Sequence, residues 1–406
     1  MAVGDLGEQL HGLNLDDADH LSFLPLGEIE RRGEQFDEVP RYLFRVFSAY
    51  SQGSTNMNWV KSLDAKNETA DSNVDLFSRD KIQAAEMVNR HLQWSREGTK
   101  DNLVSWTNSL LYALVYVFFL HAKVDDIQTF DQIHVCVIDT SEFPKGIFLR
   151  DLDLIRAYRS FNTQLDNFEE LRCTRKRQGF GSNYYFGEYL SQGALKIEGH
   201  CQIVSAEKII DRGLYNIRSE FKQYAIWKKA RWANAVIEMR EIFYLERQPI
   251  TGPKLQSALD IANLFGPRWK LPIAAHLTAL TAPQIDDDAI LAKFRILPDV
   301  DRQECSPSRT KIGACDNTLP EVQDYQTIMR NIYLDYTFHQ LKGLLKEVEG
   351  HLHRASKLTE EISLTEEGTI SFDDFAATQN QLQNISSMSE KLCNDFTIIW
   401  ESLDDE

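Results

Sequence analysis

Metal-site and disulfide patterns are missing from this sequence. Its 406 residues include six cysteines, but no two of them form a C-x-x-C pair, and no histidines cluster at the spacing of metal ligands. Zinc sites and small disulfide frameworks both depend on such patterns. The sequence therefore predicts reduced thiols, no metal site and an intracellular protein.

Targeting signals and long apolar runs are also scarce. The N-terminus "MAVGDLGEQLHGLNLDD" lacks the basic and apolar regions of a signal peptide. Residues 102–122 are the most apolar segment and are about as long as a bilayer is thick. However, Ser105, Thr107, Asn108 and Ser109 crowd the first third of this segment. We therefore expect a buried helix, no association with a membrane, and a cytoplasmic or nuclear location.

Positive charge is in deficit. The chain has 44 Lys and Arg against 61 Asp and Glu, a net charge of -17. Such a surface repels phosphate backbones, which argues against a general nucleic-acid binder. Between Lys145 and Arg231, however, basic residues outnumber acidic ones. This basic region fits an anionic ligand such as a phosphate and fits a solvated basic face equally well.

The apolar periodicity changes along the chain. Before about residue 220, short alternating segments predict strands, and they are separated by segments with helical spacing. Beyond that point the patterns are helical. The predicted strands are "YLFRVFS", "NLVSWT", "IHVCVID", "YYFGEYL", "GALKI" and "CQIVSAEKI". This mixture predicts an α+β fold followed by an α-helical C-terminal region.

Composition divides the chain into five segments. We predict an acidic, poorly ordered arm over residues 1–38 and the α+β domain over 39–222. A helical extension follows over 223–282. Four prolines and many polar residues then predict a linker over 283–320. The last segment, 321–406, has two helical patterns on either side of a break and is predicted to be a helical hairpin.

Three of the predicted strands each contain polar residues where an apolar side chain is expected. Arg45 interrupts "YLFRVFS", and Ser105 and Thr107 lie in "VSWTNS" just before the apolar helix. Glu188 lies between aromatic residues in "YYFGEYLSQGAL". These are the candidate functional residues.

An Arg, a Ser and a Glu in this order on successive strands resemble the R–S–E signature of the ADP-ribosyltransferase superfamily. The resemblance is closest to its cholera-toxin-like and pierisin-like branch. As in that branch, Gly193, Ala194 and Leu195 follow Glu188 by five, six and seven residues. The chain also resembles a family of uncharacterised fungal proteins that share "LRDLDLI" and "GEYLSQGAL". The resemblance covers roughly residues 40–222.

The resemblance implies an ADP-ribosyltransferase-like split β-sheet core with flanking helices, and NAD⁺ as a substrate without a metal. Glu188 would stabilise the oxocarbenium-like cation that forms when the bond between nicotinamide and ribose breaks. Arg45 would bind a phosphate or the nicotinamide ribose. Ser105 would hold the strands and the ribose in register. Trp106 replaces the middle residue of the family's Ser-Thr-Ser element, and strand alternation would point it outward.

The resemblance also assigns residues around this core. Thr107 and Phe186 would contribute to NAD⁺ binding. The basic residues Arg175, Lys176 and Arg177 lie in the loop "TRKRQGFGS", where related enzymes place their acceptor-recognition loop, and they could bind either the pyrophosphate or the acceptor. Enzymes that modify arginine usually carry Glu or Gln at the position of Phe186, so an arginine acceptor is not expected.

Two functions remain open. The first is an NAD⁺-cleaving mono-ADP-ribosyltransferase or NAD glycohydrolase, an enzyme of the glycosyltransferase class. Its acceptor would be water or a macromolecule, and the negative net charge favours a protein over a nucleic acid. The second is a catalytically inactive module with this fold, a protein-interaction scaffold whose helical C-terminal region binds a protein partner. In that case Arg45 and Glu188 would only form a buried salt bridge, and Ser105 would only cap the following helix.

Overall fold

The structure is a computed structural model. It describes residues 19–24, 39–95, 100–122, 128–173, 184–227, 231–284, 288–297, 319–364, 368 and 371–404. The chain divides into two units, Met1–Thr337 and Phe338–Glu406.

The strands of the described residues form one antiparallel sheet in the first unit. They are β1 His20–Leu21, β2 Tyr42–Phe47, β3 Ser54–Thr55, β4 Trp59–Lys61, β5 Leu103–Thr107, β6 His134–Asp139, β7 Leu149–Arg150, β8 Glu188–Lys196 and β9 Cys201–Ser205. The order across the sheet is β3-β4-β8-β5-β2-β6-β9, and β1 and β7 also pair with β8. The sequence order of neighbouring strands is therefore strongly mixed, which brings distant segments of the chain together.

Helices make up most of the remaining described residues. They are α1 Leu63–Lys66, α2 Lys81–Leu92, α3 Leu110–His121, α4 Asp151–Tyr158, α5 Gln164–Cys173, α6 Ala206–Ile209, α7 Tyr215–Ile217, α8 Phe221–Tyr224, α9 Trp232–Arg240, α10 Gly252–Ala262, α11 Pro267–Ala279, α12 Asp288–Arg295, α13 Pro320–Ser363 and α14 Phe372–Asp404. An antiparallel sheet with helices around it and a helical C-terminal region is a mixed α and β fold, in agreement with the predicted α+β class.

Helix α3 explains the most apolar segment of the sequence. The helix has apolar residues on every face, and most of its surface is buried in the protein. Leu111 and Phe118, for example, are fully enclosed. The polar residues before it have separate uses, and Ser109 caps the helix by accepting a hydrogen bond of 3.1 Å from the Tyr112 N–H. Among the described residues, no helix is long and apolar enough to cross a membrane.

The largest apolar core includes the sheet and the helices that follow it in sequence. Val137 of β6 and Phe118 of α3 share this core with Val236 of α9 and Ala275 of α11. The helices of residues 223–282, the predicted helical extension, therefore share an apolar core with the sheet. The first unit accordingly extends to Thr337 rather than ending near residue 222.

Two other segments differ from the sequence-based expectation. Within the predicted arm, residues 19–24 contain β1, which pairs with β8, and Phe23 is buried in an apolar cluster. Within the predicted linker, α12 buries Ile290 and Phe294 in the main core. In both cases a short apolar motif inside a polar segment finds a tertiary contact that the local composition does not reveal.

A buried ion pair attaches α13 to the first unit. Arg240 Nη2 lies 2.7 Å from Glu321 Oε1, and their side chains are 1% and 2% exposed. Arg240 Nη1 also donates to the Tyr185 carbonyl at 2.7 Å, and Ser109 Oγ donates to Glu321 Oε1 at 2.6 Å. The start of α13 is thus bonded to the cap of α3 and to the segment that leads into Glu188.

We expect the substitution Glu321→Gln to destabilise the fold by about 3–5 kcal/mol, because it leaves the charge of Arg240 buried without its partner. The measurement is urea unfolding followed by circular dichroism. Asp71→Asn is the matched control, since Asp71 forms an exposed pair with Lys100 at 2.8 Å, and it should leave the midpoint almost unchanged. Equal midpoints for Glu321→Gln and wild type would contradict a stabilising role for the pair.

Candidate active site

The sheet places the three candidate strands side by side, in the order β8-β5-β2. Thr107 of β5 lies opposite Glu188 of β8 in the register. Residues opposite each other share a face of the sheet, and so do residues two apart on one strand. Ser105 is therefore on the same face as Glu188. In contrast, β2 and β5 are registered at one residue pair, Phe44 with Thr107.

A cleft of about 360 Å³ opens along these strands. Residues 44–46 of β2 and 103–107 of β5 line it, and so does Glu188 at the start of β8. Arg45, Ser105 and Glu188 all contribute to this lining. The three residues that the sequence singled out separately therefore meet in one cavity.

Arg45 bridges β2 and β5. Its Nη1 donates to the Ser105 carbonyl at 2.9 Å, and its Nε donates to Thr55 Oγ1 at 3.1 Å. Among the residues that the structure describes, no carboxylate forms a salt bridge with Arg45. Its positive charge therefore faces the cleft without being neutralised, which is the arrangement that an anionic ligand requires.

Ser105 connects directly to Glu188. Its Oγ donates to Glu188 Oε1 at 2.8 Å. Glu188 does not pair with Arg45, as a simple salt bridge between strands would require. Its other oxygen accepts from Arg172 Nη2 at 3.2 Å, and the Glu188 side chain keeps 16% of its surface exposed. The carboxylate is thus held in one orientation while still reaching the cleft.

His91 is a cleft residue that the sequence did not identify. Its Nδ1 lies 2.8 Å from Asp101 Oδ2, and its Nε2 lies 2.8 Å from Ser105 Oγ. Burial alone lowers the pKa of His91, but the charge and hydrogen bond of Asp101 and the charge of Glu188 outweigh it, so the pKa is raised. His91 lies on α2, whose spacing indicated only an amphipathic helix.

Arg172 and Asp151 form the other support of Glu188. Arg172 Nε donates to Asp151 Oδ2, and its Nη2 reaches Glu188. Burial raises the pKa of Asp151 to about 6, although Arg172 opposes this shift. Both residues lie on helices, Asp151 at the start of α4 and Arg172 near the end of α5. No local signal in the sequence distinguished them from other charged helix residues.

Together these contacts form one continuous chain of polar groups, in the order Asp101, His91, Ser105, Glu188, Arg172 and Asp151. Its first three members have the connectivity of a serine-hydrolase triad. Because the single hydroxyl proton of Ser105 points to Glu188, His91 Nε2 must donate to Ser105 Oγ rather than accept from it. The Ser105 hydroxyl then donates to Glu188, so the chain orients a carboxylate and does not activate a nucleophile.

The remaining predicted residues have other positions. Thr107 donates to the Phe186 carbonyl at 2.7 Å and accepts from the Ser109 N–H at 3.0 Å. Its hydroxyl therefore bonds to the backbone, although the residue lines the cleft. Phe186 stacks on Tyr112 at 5.4 Å and is absent from the cleft lining. Trp106 is 2% exposed, which corrects the outward position expected from alternation.

The predicted acceptor loop belongs to a part of the chain that the structure does not describe. Arg175, Lys176 and Arg177 lie outside the described residues. Arg172, three residues before Arg175, lies next to Glu188. Within the part of the chain that is described, no group of three or more His, Cys, Asp or Glu side chains could hold a metal ion.

Aromatic side chains form one wall of the cleft. Trp94, Tyr112, Tyr116 and Phe119 line it, and Trp94 stacks on Trp232 at 4.8 Å. Trp94 has a left-handed backbone with φ of 53° just after the end of α2, a position where glycine is the usual residue. Trp94 is 36% exposed. A strained, partly exposed aromatic residue at a cleft is typical of a functional surface.

Comparison with known protein families matches part of the chain. A family model described as "Domain of unknown function (DUF7587)" matches residues 38–195. The matched segment contains Arg45, Ser105 and Glu188 and ends within β8. No curated protein and no solved structure matches the chain.

The His91 environment predicts a pH dependence. A histidine whose pKa is raised by folding stabilises the protein fully below its unfolded pKa, and this contribution is lost as the pH rises through the folded pKa. We therefore expect the stability difference between wild type and His91→Gln to shrink from pH 5.5 to pH 8, as measured by thermal midpoints. NMR titration of His91 should also give a lower pKa in Asp101→Asn than in wild type. An equal pKa in both proteins would contradict this electrostatic account.

Proposed function

We propose that this protein cleaves NAD⁺ and transfers ADP-ribose to an acceptor, as a mono-ADP-ribosyltransferase or an NAD glycohydrolase. The observation that carries the proposal is the meeting of Arg45, Ser105 and Glu188 in one cleft, with Ser105 donating to Glu188. Adjacent strands hold all three, in the order of the R–S–E signature. The single registered pair between β2 and β5 is compatible with the split sheet of that superfamily.

In this proposal Glu188 stabilises the transition state. When the bond between nicotinamide and ribose breaks, nicotinamide leaves with the bonding electrons and the anomeric carbon becomes cationic. A carboxylate that is already oriented stabilises this cation without reorganising during the reaction. Ser105 and Arg172 supply that orientation from both sides of Glu188. Water or an acceptor hydroxyl, amine or thiol then bonds to the carbon and releases a proton.

Arg45 binds the negative charge of the substrate. Its hydrogen bonds to Ser105 and Thr55 fix the guanidinium while leaving its charge unpaired by a carboxylate. A phosphate or a ribose oxygen near Nη2 would complete its donor set. The cleft volume of about 360 Å³ is at the low end of the ~300–1,000 Å³ of ligand pockets. The cleft therefore suits the nicotinamide riboside end of NAD⁺ better than the whole dinucleotide.

The acceptor is water or a macromolecule, and the net charge of -17 favours a protein over a nucleic acid. The presence of Phe186 in place of Glu or Gln disfavours arginine as the modified residue.

One observation favours the second function, an inactive scaffold with the same fold. Both oxygens of Glu188 already have partners, Ser105 on one and Arg172 on the other. A catalytic carboxylate must also meet the ribose, so one of these contacts would have to be shared or released. Release of nicotinamide from NAD⁺ by purified protein distinguishes the two functions, because only the enzyme produces it.

We expect Glu188→Gln to lower the rate of nicotinamide release by about 10²–10³, because the charge that stabilises the cation is lost. The thermal midpoint should change little, since Arg172 keeps Asp151 as a partner. The assay is chromatography of nicotinamide, paired with thermal unfolding. Glu169→Gln is the matched control, because Glu169 is also a carboxylate paired with arginines but lies on α5 outside the cleft lining.

Turnover that is lost only in Glu188→Gln supports the proposal. A wild-type protein that releases no nicotinamide would leave the scaffold function, and an active Glu188→Gln variant would remove Glu188 from the mechanism.

A further inference from the structure

The second unit has a repeating apolar pattern that the proposed function does not use. In both of its helices, apolar side chains recur at alternating intervals of three and four residues, which is the seven-residue repeat of packed helices. In α13 these positions are Phe338, Leu341, Leu345, Val348, Leu352, Ala355 and Ile362, and in α14 they are Phe375, Leu382, Ile385, Leu392, Phe396 and Ile399. Thr359, Thr378 and Ser389 occupy the intervening positions of the repeat.

These apolar positions remain exposed. Leu345, Leu352 and Leu382 are 49%, 44% and 51% exposed. Every side chain from Lys342 to Leu364 is exposed. The rings of Phe338 and Phe396 stack at 6.0 Å, which places the two repeats opposite each other at one point. One hairpin alone therefore does not bury its own apolar surface.

The apolar stripe is also wider than the seam of a two-stranded coiled coil. A third apolar position lies directly before the residue that opens a seven-residue unit, such as Leu345. It is occupied by Leu344 and Leu358 of α13 and by Met388 of α14, which are 59%, 59% and 66% exposed. An apolar face that includes this third position is typical of helices in a four-helix bundle. A hairpin supplies two helices, so such a bundle needs two more.

Charge favours a second copy of the same hairpin. Between Lys342 and Lys357, α13 has four Lys and Arg against two Glu, and Glu360 and Glu361 follow this segment. Between Phe372 and Ile399, α14 has four Asp and Glu against one Lys. Residues 342–357 of α13 are thus net basic, and α14 is net acidic. Two hairpins related by a twofold axis can place each α13 against the partner's α14, so that opposite charges meet at both contacts.

The exposed apolar area is sufficient for a stable dimer. The large apolar side chains of this unit are each 41–83% exposed. At ~150–200 Å² per side chain they present on the order of 1,000 Å², against ~800 Å² per partner in a standard interface. A monomer typically exposes at most ~300–600 Å² in its largest apolar patch.

We infer that two copies of this protein associate through α13 and α14 into an antiparallel four-helix bundle. The partner is a second copy of this chain, held by the apolar stripe and oriented by the basic segment of α13 (residues 342–357) and the acidic α14. This inference is independent of the proposed chemistry, because every residue that carries it lies in the second unit.

The test is the molar mass of the full-length protein in solution, measured by light scattering and sedimentation over a range of concentrations. We expect twice the monomer mass of 46.8 kDa for wild type. We expect monomers from two variants. Leu382→Glu changes a residue of the seven-residue repeat, and Leu344→Glu changes the additional apolar position beside it. Gln383→Glu is the matched control, since it introduces the same charge one residue from Leu382 on the polar face, and it should remain dimeric.

Helicity separates loss of the dimer from loss of the hairpin. Leu344 lies outside the repeat that faces the other helix of the hairpin, so Leu344→Glu should keep most of the helical circular dichroism while losing the dimer. A wild type that is monomeric at tens of micromolar, or that forms trimers, overturns the inference. So does a dimer that persists in Leu344→Glu and Leu382→Glu, since it would be held elsewhere.

Discussion

The cleft depends on how Arg45 connects β2 to β5. These strands share one registered residue pair, and beyond it the guanidinium of Arg45 donates across the gap to the Ser105 carbonyl. An arginine in an apolar strand is costly unless its donors are satisfied, and an apolar residue would pack there without that cost. A hydroxyl and a carbonyl accept from two of these donors, yet neither neutralises the charge. The fold therefore maintains a positive charge at the cleft at some expense in stability.

Glu188 is held in position in a different way, by a hydrogen-bonded chain in which acidic side chains alternate with hydrogen-bond donors. Ser105 and Arg172 contact its two oxygens, and His91 and Asp151 lie one step further out on either side. Because each carboxylate in the chain is next to a cation or a donor, the site can be partly buried without leaving an unpaired charge. The same chain makes the orientation of Glu188 depend on the protonation of His91.

The site residues that could be predicted from the sequence are polar residues that interrupt an otherwise apolar strand. Arg45, Ser105 and Glu188 were found because a strand of apolar residues gives no other reason for them. His91 and Arg172 lie on helices, where charged residues are expected on the solvent side, so only the tertiary structure shows that they face Glu188. Trp106 was misplaced for a related reason. Alternation assumes one solvated face, but apolar clusters cover both faces of this sheet.

The domain boundary could not be predicted because it depends on contacts between segments far apart in sequence. The family match ends at residue 195 and includes Ser109 and Tyr185 but neither Arg240 nor Glu321. Those two residues supply the buried partners of the Ser109 hydroxyl and the Tyr185 carbonyl. Ser109 follows the strand of Ser105, and Tyr185 precedes Glu188 by three residues. The geometry of the cleft therefore requires the first turn of α13, and the unit that folds around the site is larger than the matched domain.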